Sequence, residues 1–171
     1  MRFRLTAALP VLLAIGLAAP ASAQTPGLVE GVSKIRPNGI GKVKTGMTIK
    51  EAKEAAGTHM TQQAVGECVY LDNGPPGTGQ GPTLRFHNGR LRHINVARKG
   101  FATQRGVEVG DKVKEVREKY KGLGSRGNLG GGKDLVWRGR KGGRLIFSVA
   151  NGKVWAITGG KVPWVNQQEC V

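Results

Sequence analysis

Two hydrophobic periods follow one another along this chain, and the same succession of periods occurs twice. In the first copy Ile49, Ala52 and Ala56 recur at helical spacing, and in the second Val113, Val116 and Tyr120 do the same. The spacing predicts a helix over about 48–56 and another over about 111–121. Thr48 with Glu51 makes a capping box, in which each side chain satisfies the other residue's free backbone N–H, and Gly57 is a left-handed stop. In the second copy Asp111 is the expected N-cap and Gly122 the expected stop. The period then changes to two. Leu84 and Phe86 alternate with Arg85 and His87 up to Asn88-Gly89, and the corresponding strand of the second copy ends at Asn151-Gly152. Asn-Gly supplies the two positive-φ residues of a type I′ hairpin turn. After each turn the alternation slips: Leu91 and Ile94 are three apart, as are Val154 and Ile157, which predicts a β-bulge at the same place in both hairpins.

These blocks are an internal duplication. Gly46 to Gly57 matches Gly110 to Gly122, and Thr83 to Ile94 matches Leu145 to Ile157, at offsets of 64 and 63 residues. A further strand is expected before each hairpin, from Glu67 to Leu71 and from Asp134 to Trp137. Each unit is then a helix plus a three- or four-stranded antiparallel meander. A helix of ten residues cannot cover such a sheet alone, so the two units should combine their sheets. The expected fold is α+β: two tandem helix-plus-antiparallel-meander repeats forming a combined antiparallel sheet with helices on one side. The divisions are an irregular N-terminal arm (24–38), repeat 1 (39–98) and repeat 2 (99–171), with Asn73 to Pro82 and Gly122 to Lys133 as glycine-rich loops.

The N-terminal pattern is different in kind. Arg2 and Arg4 precede an almost wholly apolar run, Leu5 to Ala19, and Ala21-Ser22-Ala23 is a small-x-small cleavage signal. This is the pattern of a secretory signal peptide over residues 1–23, cut near Ala23. The apolar run is shorter than a bilayer core requires and contains Pro10, and no later stretch is apolar enough to span, so no membrane span is expected. The expectation is an exported protein, extracellular or associated with the cell wall.

Export changes the meaning of charge and of cysteine. The chain carries 27 Lys and Arg against 11 Asp and Glu, a net +16; loss of Arg2 and Arg4 with the leader leaves +14. Outside the cell such a charge favours acidic proteins, anionic wall polymers or membrane surfaces over nucleic acid. The two cysteines, Cys68 and Cys170, read as a disulfide in an oxidising compartment, tying the C-terminal tail to repeat 1. Closing a loop of about 100 residues would contribute roughly 4–5 kcal/mol in the chain-entropy model. Pairing within or between chains is left open by the sequence.

The run Gly-x-Val-x-x-Gly-Met-Thr-x-x-Glu-Ala over Gly41 to Ala52, then Gly57, Cys68 to Tyr70 and the hairpin Leu84 to Ile94, resembles the repeat unit of the secreted β-lactamase inhibitor proteins of actinomycetes. It is also similar to the single-repeat SmpA/OmlA (BamE)-type outer-membrane assembly lipoproteins. The resemblance implies a protein whose combined sheet presents a surface to another protein. This chain departs from the inhibitors in its strong basicity and in lacking a disulfide within each repeat. It departs from the lipoproteins in having no lipid-bearing cysteine and a doubled repeat. No contact residue is transferred from either.

Catalytic and cofactor signals are thin. Gly74 to Gly81 imitates a phosphate loop, but Gln80 stands where its lysine should be. Gly127 to Lys133 imitates another, but Asp134 replaces the hydroxyl residue. No nucleotide, metal or other cofactor is expected, and no serine, histidine or cysteine lies in a nucleophile context. The candidate interaction surface is the basic hairpin Arg85, His87, Arg90, Arg92 and His93, with Lys153 and Trp155 at the matching place of the second copy, since Arg and Trp are favoured interface anchors. The expected function is a secreted, non-catalytic protein-binding module whose partner is an extracellular or envelope protein. Charge-driven binding to anionic envelope polymers or membrane surface is the alternative.

Overall fold

The computed structural model describes residue 28 and residues 31–74, 80–128, 131–139 and 142–161. The expected signal peptide, part of the expected arm, and the tail with Trp164 and Cys170 lie outside the described residues.

The chain begins with three two-residue strands, β1 (Ile35–Arg36), β2 (Gly39–Ile40) and β3 (Val43–Lys44), which form a small antiparallel sheet. Part of the stretch expected to be an irregular arm is therefore strand. Ile35, Ile40 and Val43 are fully buried, so this small sheet is a packed layer of the core. Helix α1 (Ile49–Ala56) follows. Its Thr48 and Glu51 make the expected capping box, and Gly57 ends it at φ 58°. Four strands come next: β4 (Thr61–Val65), β5 (Cys68–Asp72), β6 (Thr83–His87) and β7 (Arg90–Val96). Helix α2 (Val113–Lys119) then leads into β8 (Gly124–Gly127), β9 (Lys133–Arg138), β10 (Arg144–Ala150) and β11 (Lys153–Gly160).

The last eight strands make one antiparallel sheet in the order β4-β5-β6-β7-β11-β10-β9-β8. Its centre is the antiparallel pairing of β7 with β11, where Ile157 faces Val96 and Gly160 faces His93. Both hairpin turns have the predicted geometry, with Asn88 and Gly89 at φ 51° and 67° and Asn151 and Gly152 at 50° and 71°. The register shifts at Arg85/Phe86 in one hairpin and at Ser148/Val149 in the other, so both expected bulges are present.

The second helix is shorter than 111–121, and its ends differ from the expectation. The backbone of Asp111 is held in a strand-like pairing, its carbonyl accepting from the Val154 N–H at 2.9 Å, while its carboxylate accepts from the Glu108 N–H. The N-cap is Lys112, whose N–H donates to Glu115 Oε2. At the other end Tyr120 leaves the helix in an extended conformation and buries its ring against Trp137 and Phe147, so the chain turns before Gly122 is reached. The glycine-rich stretch from Gly122 also holds a strand, β8, where only a loop was expected.

One cluster contains Ala52 and Ala56 of α1, Val116 of α2, the small sheet's Ile35 and Ile40, and Leu71, Leu84, Phe86, Leu91, Leu135, Phe147 and Ile157 of the large sheet. Both helices and the small sheet thus cover the same face. Side chains alternate across a strand, so Arg85, lying between Leu84 and Phe86, belongs to the opposite face. The pair Gly159-Gly160 lets the layers close. A side chain on Gly159 would overlap the Arg36 carbonyl, and one on Gly160 would overlap His93.

Candidate functional site

The face without helices carries a polar cluster where β5, β6 and β7 run side by side. Arg85 of β6 stands opposite Tyr70 of β5 and His93 of β7, and Thr83 stands opposite Asp72 and Asn95. Tyr70, Thr83, Arg85, His93 and Asn95 line an open pocket of about 250 Å³. The Arg85 guanidinium carbon lies 6.0 Å from the centre of the Tyr70 ring, a cation–π distance. The Thr83 hydroxyl donates to Asp72 Oδ1 at 2.5 Å, and the Asn95 amide donates to Thr158 Oγ1 at 3.0 Å, tying the cluster to β11.

His93 is the unusual member. Its Nδ1 is buried and has no hydrogen-bond partner among the described residues. Burial, and secondarily the Arg85 charge, push the imidazole down from its ordinary 6.5 to about 4. It is therefore neutral at neutral pH, and the fixed positive charge of the pocket belongs to Arg85.

The remaining surface residues scatter. His87 Nδ1 lies 3.9 Å from Cys68 Sγ, and Cys68 is fully buried and is not a free thiol; its expected partner Cys170 is outside the described residues. Arg90 is exposed but bonds the Gly46 carbonyl beside α1, so it serves the helix start. Arg92, Lys153 and Trp155 are exposed, Trp155 at 51%, which makes it the largest apolar side chain offered to solvent among the described residues. Trp137 is partly buried, edge-on to Tyr120 at 5.3 Å, and the Arg105 guanidinium covers both rings. The seven expected residues thus divide into a pocket pair (Arg85 and His93), an exposed set (Arg92, Lys153 and Trp155), and two engaged locally (His87 and Arg90).

No protein-family model and no curated protein sequence matches this chain. The crystal structure of the uncharacterized protein YfeY from Escherichia coli is similar: the TM-score is 0.55 at 13% identity, over 74% of this chain and 99% of that chain. At that identity the likeness concerns the fold alone.

The sequence missed Tyr70, Thr83 and Asn95 as pocket residues, although the register of β5 and β7 against β6 would have aligned them with Arg85 and His93. It also missed Asp134. This carboxylate is almost fully buried on β9, accepts from Ser148 Oγ at 2.9 Å and Asn128 Nδ2 at 3.3 Å, and pairs with Arg126 at 3.0 Å. Asp134 occupies one flank of the helix-free face as a structural tie between β8, β9 and β10. Among the described residues no group of three or more His, Cys, Asp and Glu is placed to hold a metal ion, and no helix is long and apolar enough to cross a membrane. Both glycine runs that imitate phosphate loops connect antiparallel strands, β5 to β6 and β8 to β9.

Proposed function

We propose that this is an exported, non-catalytic protein-binding module of inhibitor-like, envelope-assembly-like fold, built from two helix-plus-meander units. The observation that carries the reading is the helix-free sheet face, with the Arg85–His93 pocket upon it and exposed Arg92 and Trp155 on its two central strands. Rigid strands hold these side chains in place, and Arg and Trp are the residue types that concentrate binding energy at interfaces.

Support for the doubled unit comes from matched contacts. The Gly46 N–H donates to the Leu91 carbonyl as the Gly110 N–H donates to Val154, and isolated bridges join Thr48 to Arg90 and Lys112 to Lys153. The strand order, read outward from the β7–β11 pairing, is the same in both directions. Export rests on the pattern of residues 1–23, and an internal Cys68–Cys170 bridge on the pairing of the only two cysteines. An intact mature monomer two hydrogens lighter than the reduced chain supports that bridge; a disulfide-linked dimer or a fully reduced mass refutes it.

The test of the main reading is capture from the native extracellular and envelope fraction on the mature chain at moderate salt. A specific protein retained by the natural chain and lost with Trp155→Ala and Arg92→Ala supports it. No retained protein, or one indifferent to both substitutions, sinks it. The +14 charge motivates a second reading, in which anionic envelope polymers or a membrane surface hold the protein. Such binding must collapse between physiological ionic strength and about 1 M salt, where the Debye length falls from ~8 to ~3 Å. Retention on the envelope at the higher salt argues against it.

A further inference from the structure

We propose that the helix-free face between β11 and β5 is the docking site of this chain's own C-terminal segment, residues 162–170, strapped across β7 and β6 by a bridge from Cys170 to Cys68. The segment lies outside the described residues. The proposal goes beyond the protein-binding reading, and only its consequence for a partner rests on that reading.

Burial on an open face carries the argument. An antiparallel sheet packed on one side ordinarily leaves its other side chains in water. Both helices and the small sheet pack with Leu84 and Phe86, on the opposite side from Arg85. Cys68 shares the face of Arg85, because the register that sets Val69 against Phe86 sets Tyr70 against Arg85 and Cys68 against His87. Yet Arg85 is only 9% exposed, Cys68 is fully buried, and His93 Nδ1 is shut off from solvent. Arginine is seldom so enclosed. These three residues stand on β6, β5 and β7, the strands that separate the end of β11 from Cys68.

The chain beyond β11 has the length and the anchor to cover them. Three strand spacings separate β11 from β5, about 14 Å at ~4.8 Å each. The nine residues from 162 to 170 reach up to about 30 Å when extended. The direction also fits: Gly160, His93, Arg85 and Tyr70 form one row across the sheet, and Cys68 lies past Tyr70 on the same side as Lys161 lies past Gly160. Cys68 is not a free thiol, and Cys170 is the chain's only other cysteine. The segment holds Val162, Trp164 and Val165, one acid in Glu169 and no Lys or Arg, so this basic chain can lay it over an arginine without repulsion. A partner that reaches Arg85 and His93 must therefore displace a tethered segment first.

The test is made on the full mature chain, oxidised. Nuclear Overhauser contacts should join side chains of residues 162–169 to the His93 ring or the Arg85 side chain, within one molecule when labelled and unlabelled chains are mixed. Acylation of histidines by diethyl pyrocarbonate, read by peptide mass spectrometry, gives a second readout, with exposed His59 as the internal standard. Reduction by a dithiol passes two hydrogens to the bridge and leaves the reagent as a cyclic disulfide. It should quicken acylation of His93 at least about tenfold, since reaction no longer waits on local opening, and leave His59 unchanged. Should the reduced chain unfold, as circular dichroism would reveal, the contacts in the oxidised chain decide alone. Absence of those contacts, contacts only between two molecules, or an equal His93 rate before and after reduction in a chain that stays folded overturns the proposal. A docked segment with no captured partner leaves this inference standing and sinks the binding-module reading; a captured partner with an undocked segment does the reverse.

Discussion

Gly160 of β11 lies so close to His93 of β7 that a β-carbon on the glycine would stand 2.7 Å from the His93 Cβ. The contact is in the central strand pair, where neither strand can retreat without opening the sheet. Gly160→Ala should therefore destabilise the protein by about 1–3 kcal/mol, the usual range for forcing a methyl group into a packed site. Urea unfolding monitored by tryptophan fluorescence measures it. An unchanged midpoint would mean that β7 and β11 are not held this tightly.

His93 makes stability depend on pH. Its folded midpoint of about 4 is below the ordinary 6.5, because burial first and Arg85 second disfavour the charged ring. Between these two values the unfolded chain binds a proton that the folded chain refuses. Stability is thus complete above about 6.5 and falls as the pH drops toward 4, by at most about 3 kcal/mol. His93→Gln should flatten that slope. A natural chain and variant with parallel stability curves from pH 7 to 4 would contradict the assignment.

Much of the fold was legible because the local signals agree with one another. The Asn-Gly turns, the two bulges and the α1 capping box could each be read from a few adjacent residues. The end of α2 could not. Asp111 is a better cap by side-chain chemistry than Lys112, yet the 64-residue offset maps Thr48 onto Lys112, and the pairing of Asp111 with Val154 enforces that register. A long-range backbone contact there overrode a local preference. The small sheet and β8 escaped for the opposite reason: Ile35–Arg36 and Gly124–Gly127 are too short or too glycine-rich to show a period, and become strands only because neighbours pair with them. In the candidate site, a cluster of charges marked Arg85 and His93, whereas Tyr70 and Asn95 enter through cross-strand register, which no single segment reveals.

The two helix starts offer a matched comparison. The Thr48 side chain accepts from the Glu51 N–H and the Glu51 carboxylate accepts from the Thr48 N–H, while Lys112 has no capping oxygen. Thr48→Ala should cost about 1 kcal/mol, and Lys112→Ala should cost close to nothing. The Thr48 bonds also hold the Glu51 carboxyl below its ordinary range. The support it gives α1 is therefore present at neutral pH and is lost as acid protonates it. Chemical denaturation of both variants at neutral pH provides the check, and equal losses at the two positions would show that the cap is not the source.

The most consequential tie outside the helices is Asp134. Its carboxylate is buried between β8 and β10, where Ser148, Asn128 and Arg126 all direct donors at it. Removing it takes the shared acceptor away from all three donors. Asp134→Ala should cost roughly 2–4 kcal/mol, near the range for breaking a buried pair and reduced because Arg126 retains access to solvent. Asp134→Asn keeps one acceptor and should cost less, though its amide hydrogens then oppose Arg126. The loss should be greatest at the β8 end, so hydrogen exchange should quicken first at the amides of β8 and β9 and last in the β7–β11 centre. Uniform exchange across all eight strands would mean that Asp134 supports the whole sheet rather than its edge.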